Sequence, residues 1–137
     1  MNETIRKVDY FAMDLANKAG EAARVLEPLS SAGVNFLAFA GFPSGRRAQI
    51  DFIPENVEAF KAAAKKAKLK LRPKKVGFLV QGDDRSGAVS GLLRKLADAK
   101  INVISIHAVS AGAGRYGAML WVNPRDVSKA AKAMGAV

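Results

Sequence analysis

The chain repeats itself, and this internal duplication restricts the fold more than any other feature, because a repeat of about 65 residues has to be one structural unit used twice. A shift of 67 positions lays Phe11 on Phe78, Gly20 on Gly87, Leu26 on Leu93, Leu29 on Leu96, Ala32 on Ala99 and Asn35 on Asn102. After a three-residue difference in loop length, a shift of 70 lays Pro54 on Pro124, Val57 on Val127 and Ala63 on Ala133. Apolar character matches as well, Val34 with Ile101 and Phe52 with Val122. The halves meet near Arg72-Pro73-Lys74-Lys75, where a proline in a charged stretch reads as a connector. The expected domains are 1–72 and 73–137.

Each half carries the same order of elements. Residues 7–15 alternate Val8, Tyr10 and Ala12 against Phe11, Met13 and Leu15, and residues 75–81 are rich in Val, Phe and Leu, so both read as strands. Helical spacing follows, through Ala22, Val25, Leu26, Leu29 and Ala32 in the first half and Val89, Leu92, Leu93, Leu96 and Ala99 in the second. Pro28 should kink or divide the first of these helices, because it removes a donor and crowds the preceding turn. VNFLAFA and INVISIHAV read as second strands, AQIDFI and AMLWV as returning strands, and 54–67 and 124–134 as helices led by proline. KLKLR, Lys68 to Arg72, reads as a closing strand. The fold class is α+β: two ferredoxin-like β-α-β-β-α-β repeats, each an antiparallel sheet with its helices on one face. The second repeat stops at Met134-Gly135-Ala136-Val137, with almost no room for a last strand, and its sheet is expected to have an open edge.

Composition removes much chemistry. With no Cys and one His among 137 residues there is no disulfide framework, thiolate site or His cluster, so neither a metal nor a cofactor is expected. No signal-like segment and no run of 18 apolar residues occurs, which reads as a cytoplasmic protein without a membrane role. The net charge is +10, yet eight of the 22 basic residues (Lys61, Lys65, Lys66, Lys68, Lys70, Arg72, Lys74 and Lys75) fall in one window free of acidic residues. Such a run reads first as a solvated helix face and its exit strand.

The stretches NKAGEAARVLEPLSSAGVNF and DRSGAVSGLLRKLADAKINV, each a short loop ending in glycine, then a helix, then Val/Ile-Asn and a strand, resemble the ACT domain, a small amino-acid-sensing module. The similarity in element order runs over nearly the whole chain and resembles a stand-alone tandem pair. In the family's loop a proline precedes the glycine, where Ala19 and Ser86 stand here. The resemblance implies a non-catalytic regulatory protein that binds a small molecule, most plausibly an amino acid, where domains or subunits meet, between the glycine loop of one and the strand of the next.

The residues themselves admit that chemistry. The first N–H groups of a helix lack partners inside it and lie at the positive end of its dipole, so a carboxylate can bind there. Gly20 and Gly87 are expected to let backbone approach closely. Asn17, and Asp84 or Ser86, read equally as caps of the same helix ends. Asn35 and Asn102 offer donors and an acceptor to an α-amino acid, or else serve only the turn from helix to strand. Expected ligand-binding residues are therefore Asn17, Ala19, Gly20, Asn35, Asp84, Ser86, Gly87 and Asn102. Repeats this small bury little surface alone, so they are expected to pack together and the chain to self-associate as a homodimer.

Other signals are weaker. Gly112-Ala113-Gly114-Arg115-Tyr116-Gly117 fits G-x-G-x-x-G, but a strand rather than a helix follows, so it reads as a hairpin loop. His107 reads as a half-buried strand residue, Asp83-Asp84 as turn residues, and Phe78, Tyr116 and Trp121 as core or interface aromatics. The alternative function is nucleic-acid binding, since RNA-recognition domains share this element order and residues 61–75 are basic. RYGAMLWV lacks the second ring and the glycine of their stacking motif. No catalytic residues are assigned.

Overall fold

In a computed structural model, which describes residues 3–137, the chain forms two compact units. One is Asp9–Lys75; the other joins the described residues up to Val8 to Val76–Val137. The expected boundary at 72/73 thus moves by a few residues. The larger difference is at the start of the chain, where the first strand β1 (Thr4–Ala16) contributes residues to both units.

The unit Asp9–Lys75 holds α1 (Glu21–Ser31), β2 (Phe36–Ser44), β3 (Arg47–Pro54) and α2 (Val57–Lys66). Its strand order is β2-β3-β1, with β1 antiparallel to β3 in the register Phe11↔Phe52 to Ala16↔Arg47. Alternation puts Phe11, Met13, Leu15, Ile50 and Phe52 on one face, where Val25, Leu29, Phe60 and Ala64 of the helices cover them. The ring of Phe60 lies 5.0 Å from that of Phe11 and 5.3 Å from that of Phe52, so aromatic packing dominates this core.

Pro28 lies within α1 without dividing it, since the helix runs from Glu21 to Ser31. Two further expectations fail for local reasons. Pro54 is the last residue of β3 rather than the first of a helix, because Asn56 caps α2 by accepting a hydrogen bond from Ala59 N–H at 2.9 Å. Residues 68–72 make no regular strand. Leu69 and Leu71 pack on the core, and the segment is tied to β1 by Arg72 N–H donating to the Ala12 carbonyl at 2.8 Å and by the Arg72–Asp14 ion pair at 2.6 Å.

The other unit holds β4 (Lys75–Asp83), α3 (Ala88–Asp98), β5 (Val103–Gly112), β6 (Arg115–Val122), a 3-10 turn (Pro124–Asp126) and α4 (Val127–Met134). Its strand order is β1-β4-β6-β5. The open edge expected of this sheet is filled, beside β4, by the start of β1, whose Ile5, 6% exposed, joins the core of Phe78, Val80, Leu92, Leu96, Leu120 and Met134. Val137 adds a bridge, donating to the Ile5 carbonyl at 2.9 Å and accepting from Lys7 N–H at 3.4 Å.

Register locates the three-residue difference between the repeats. Phe11↔Phe52 corresponds to Phe78↔Leu120, so Phe52 matches Leu120 and not Val122. One extra residue enters as a β-bulge between Ser110 and Gly112, and the other two are taken up around the 3-10 turn before α4. A bulge between Phe36 and Ala38 recurs between Val103 and Ser105, which are the same repeat positions.

Candidate functional site

The glycine corners take identical backbone forms in the two repeats. Gly20 precedes α1 at φ 85° and Gly87 precedes α3 at φ 87°, both in the left-handed region. Space for a Cβ is open at each, so glycine is required here by handedness and not by the close approach expected from the sequence. Neither helix has a side-chain cap, which removes the capping role considered for Asn17, Asp84 and Ser86. No acidic residue stands in the first turn of α3, whereas Glu21 stands in that of α1.

Beside Gly87 the second repeat opens a cleft of about 280 Å³. Its lining comes from the loop and start of α3 (Asp84, Arg85, Gly87, Ala88, Val89, Ser90), from β5 (Ala108, Val109, Ser110) and from Tyr116 on β6. Asp84 is fixed to the β5–β6 hairpin: its carboxylate accepts from Ser110 Oγ at 3.0 Å and its N–H donates to the Gly114 carbonyl at 2.8 Å. Adjacent Asp83 turns to Arg115 at 2.8 Å, so the two carboxylates diverge; Asp83 is the last residue of β4 rather than the turn residue expected, and Asp84 is the first residue beyond the strand. Tyr116 donates its O–H to Glu3 at 2.7 Å. Burial, then that hydrogen bond and the Glu3 charge, push its hydroxyl up to about 12 against an opposing pull from Arg85, so it stays neutral at physiological pH. The cleft thus lies beside the start of α3 and is lined by residues that carry one guanidinium, one carboxylate, hydroxyls and the small apolar side chains of Val89, Ala108 and Val109.

Of the expected residues, Asp84 and Gly87 line this cleft and Ser86 and Asn102 do not. Within each repeat, Asn102 and Asn35 lie at the opposite end of the sheet from the glycine corner. At one end of the sheet Asp83 and Gly112 both pair with Arg115, while Val103, next to Asn102, pairs with Val122 at the other end. Roughly 25 Å of extended strand separates the two ends. The same register places Asn35, just before β2, far from Gly20, and its side chain donates to Glu55 at 3.5 Å. The turn reading of these asparagines fails too, since the left-handed residues are Gly33 and Lys100, two positions earlier. Asn17, Ala19 and Gly20 are exposed at the first corner. Sequence reasoning missed Arg85, Ser90, Ser110 and Tyr116. Their signal was the contrast between repeats, where Ala23, Pro43 and Ala48 stand in place of Ser90, Ser110 and Tyr116.

The other signals resolve simply. The G-x-G-x-x-G stretch is the β5–β6 hairpin. His107 is an exposed strand residue, more open than expected, with Nε2 3.3 Å from Ser105 Oγ. Tyr116 and Trp121 on β6 are buried, at 5% and 9% exposure, and offer no platform for stacked bases. In the basic window Lys61, Arg72 and Lys74 are paired with Glu58, Asp14 and Asp9. Among the described residues no group of three or more His, Cys, Asp or Glu is gathered to hold a metal, and no helix is long and apolar enough to cross a membrane.

No family model matches the sequence, and no curated protein matches it. Solved structures do match. A protein from Bacteroides thetaiotaomicron superposes with a TM-score of 0.80 at 15% identity, over 98% of this chain and 90% of that one. The regulatory subunit of aspartate kinase from Thermus thermophilus, in a ligand-free form, gives 0.62 at 16% identity over 97% and 94%. The corresponding subunit from Thermus flavus gives 0.57 at 16% identity over 98% and 95%. At these identities the likeness is one of fold. The chain shares the α+β, ferredoxin-like fold of these structures.

Proposed function

We propose that this chain is a tandem pair of ACT-like units that binds a small zwitterion, an amino acid, and passes that occupancy to a partner or to its own association as a homodimer, without catalysing a reaction. The observation that carries the reading is the cleft at Gly87. A ligand carboxylate meets the uncapped start of α3 and the Arg85 guanidinium, its ammonium meets Asp84, and its side chain meets Val89, Ala108 and Val109. The volume suits a compact molecule. That the Thermus thermophilus subunit was solved in a ligand-free form supports the assignment by analogy of fold. Regulation then requires only that the ligand prefer one arrangement of the protein over another.

A thermal-shift screen with the twenty amino acids at millimolar concentration tests it. One or a few should raise the melting temperature, because a ligand at about 100 times its Kd adds roughly 2.7 kcal/mol to the folded state. Asp84→Ala should abolish the response by removing the partner of the ammonium. Indifference to all twenty would defeat the proposal.

A further inference from the structure

We propose that the two glycine corners are not equivalent: the corner at α3 is open to a ligand, whereas the corner at α1 carries the protein's own carboxylate, Glu21, on its first helical residue, where it competes with a ligand anion. The inference rests on the ligand reading above for the α3 corner only.

The repeats superpose Ala88 on Glu21, the first residue of each helix. At α3 that position carries a methyl group and leaves the helix start facing the cleft. At α1 it carries a carboxylate, placed where the helix dipole favours negative charge. The Glu21 side chain is only 17% exposed and accepts from Arg24 Nε at 2.8 Å. The hydrogen bond from Arg24, with the charges of Arg24, Lys18 and Arg47, holds its carboxyl below the usual carboxylate range. Arg24, a cation that would attract a ligand anion to this corner, is therefore already paired with Glu21.

The rest of the first corner has lost its polar wall in step. The hydroxyls of Ser90, Ser110 and Tyr116 correspond to Ala23, Pro43 and Ala48, and the carboxylate of Asp84 corresponds to the neutral Asn17. Asn17 offers a zwitterion's ammonium no charge where Asp84 does. Each chain consequently has one ligand site, and the first repeat keeps the backbone geometry of a site while supplying the anion itself.

Amide NMR on the full chain, with acetate as the carboxylate probe and chloride at equal ionic strength as the control, separates the corners. In the unsubstituted protein the amides of Gly87 to Ser90 should shift and saturate while those of Gly20 to Ala23 stay fixed. In Glu21→Ala and Glu21→Gln the Gly20 to Ala23 amides should respond as well, and the spectrum itself reports that each variant is folded. Acetate-dependent shifts at Gly20 in the unsubstituted protein, or their absence in both variants, would overturn the asymmetry. Silence at Gly87 would defeat the ligand reading and with it the open α3 corner, whereas the Glu21 comparison separately decides whether that carboxylate blocks the α1 corner.

Discussion

At the level of single residues, the duplicated sequence allows each position to be judged against its counterpart. The four α-helices of the described residues end in the same pattern, with a left-handed residue after the last turn whose N–H, and that of the next residue, return to the final carbonyls. Val34 N–H reaches the Leu29 carbonyl at 3.0 Å and Ile101 N–H that of Leu96 at 2.9 Å. The left-handed residues are Gly33, Lys68, Lys100 and Gly135, with φ of 80°, 58°, 60° and 73°. Gly33 and Lys100 are equivalent, so the second repeat holds a lysine where the first shows that glycine suffices. A Cβ in this region costs about 1–2 kcal/mol, offset by the roughly 0.5–1 kcal/mol of extra chain entropy that glycine loses on folding. Lys100→Gly should therefore stabilise the protein by about 0.5–1 kcal/mol, read as a higher denaturant midpoint with unchanged slope. Gly33→Lys should lower it by a similar amount.

The elements were largely legible because apolar periodicity and the repeat reinforce each other. The positions 11/78, 25/92 and 29/96 are buried in both halves, at exposures of 4% or less. Less legible was the second role of β1. Nothing in the pattern of residues 4–8 distinguishes a strand that pairs with β4 from a simple extension of the strand starting at 9, since both alternate with period two. The contact that marks this role is the bond from Tyr116 to Glu3, near the cleft. Tyr116 retains its proton to about 12 when folded, against about 10 when unfolded, so the unfolded state ionises first. Its contribution to stability is whole below pH 10 and is lost as pH rises from 10 to 12. Tyrosinate absorbance should show both tyrosines titrating late, because burial and then the Asp51 charge also push Tyr10 up to about 12. Glu3→Gln should bring one of the two midpoints down and leave the other unmoved.

For the whole molecule, the decisive feature is that the unit carrying the cleft is completed by the opposite end of the chain. Ile5 lies in the same buried cluster as Leu92, Leu96 and Tyr116. Truncating it removes buried methylenes and leaves a cavity, so Ile5→Ala should cost about 2–4 kcal/mol. Hydrogen exchange should show lost protection in α3, β4 and β6, and the amino-acid response should weaken with it. Retained protection in those elements would contradict the strand's role in this core.

The sequence by itself determined the duplication, the α+β class, the order of the elements and the glycine corners, since periodicity, turn residues and self-similarity are local and need no folded context. Only the tertiary structure decided which of the marked residues meet. Asn35 and Asn102 share a motif with the glycines yet lie a strand's length away, because a helix and the strand after it return the chain to the far end of the sheet. The pairing of the first strand with β4 and the joining of Asp84, Ser110 and Tyr116 around one cleft are likewise products of strand order and register, which depend on packing between segments distant in the chain.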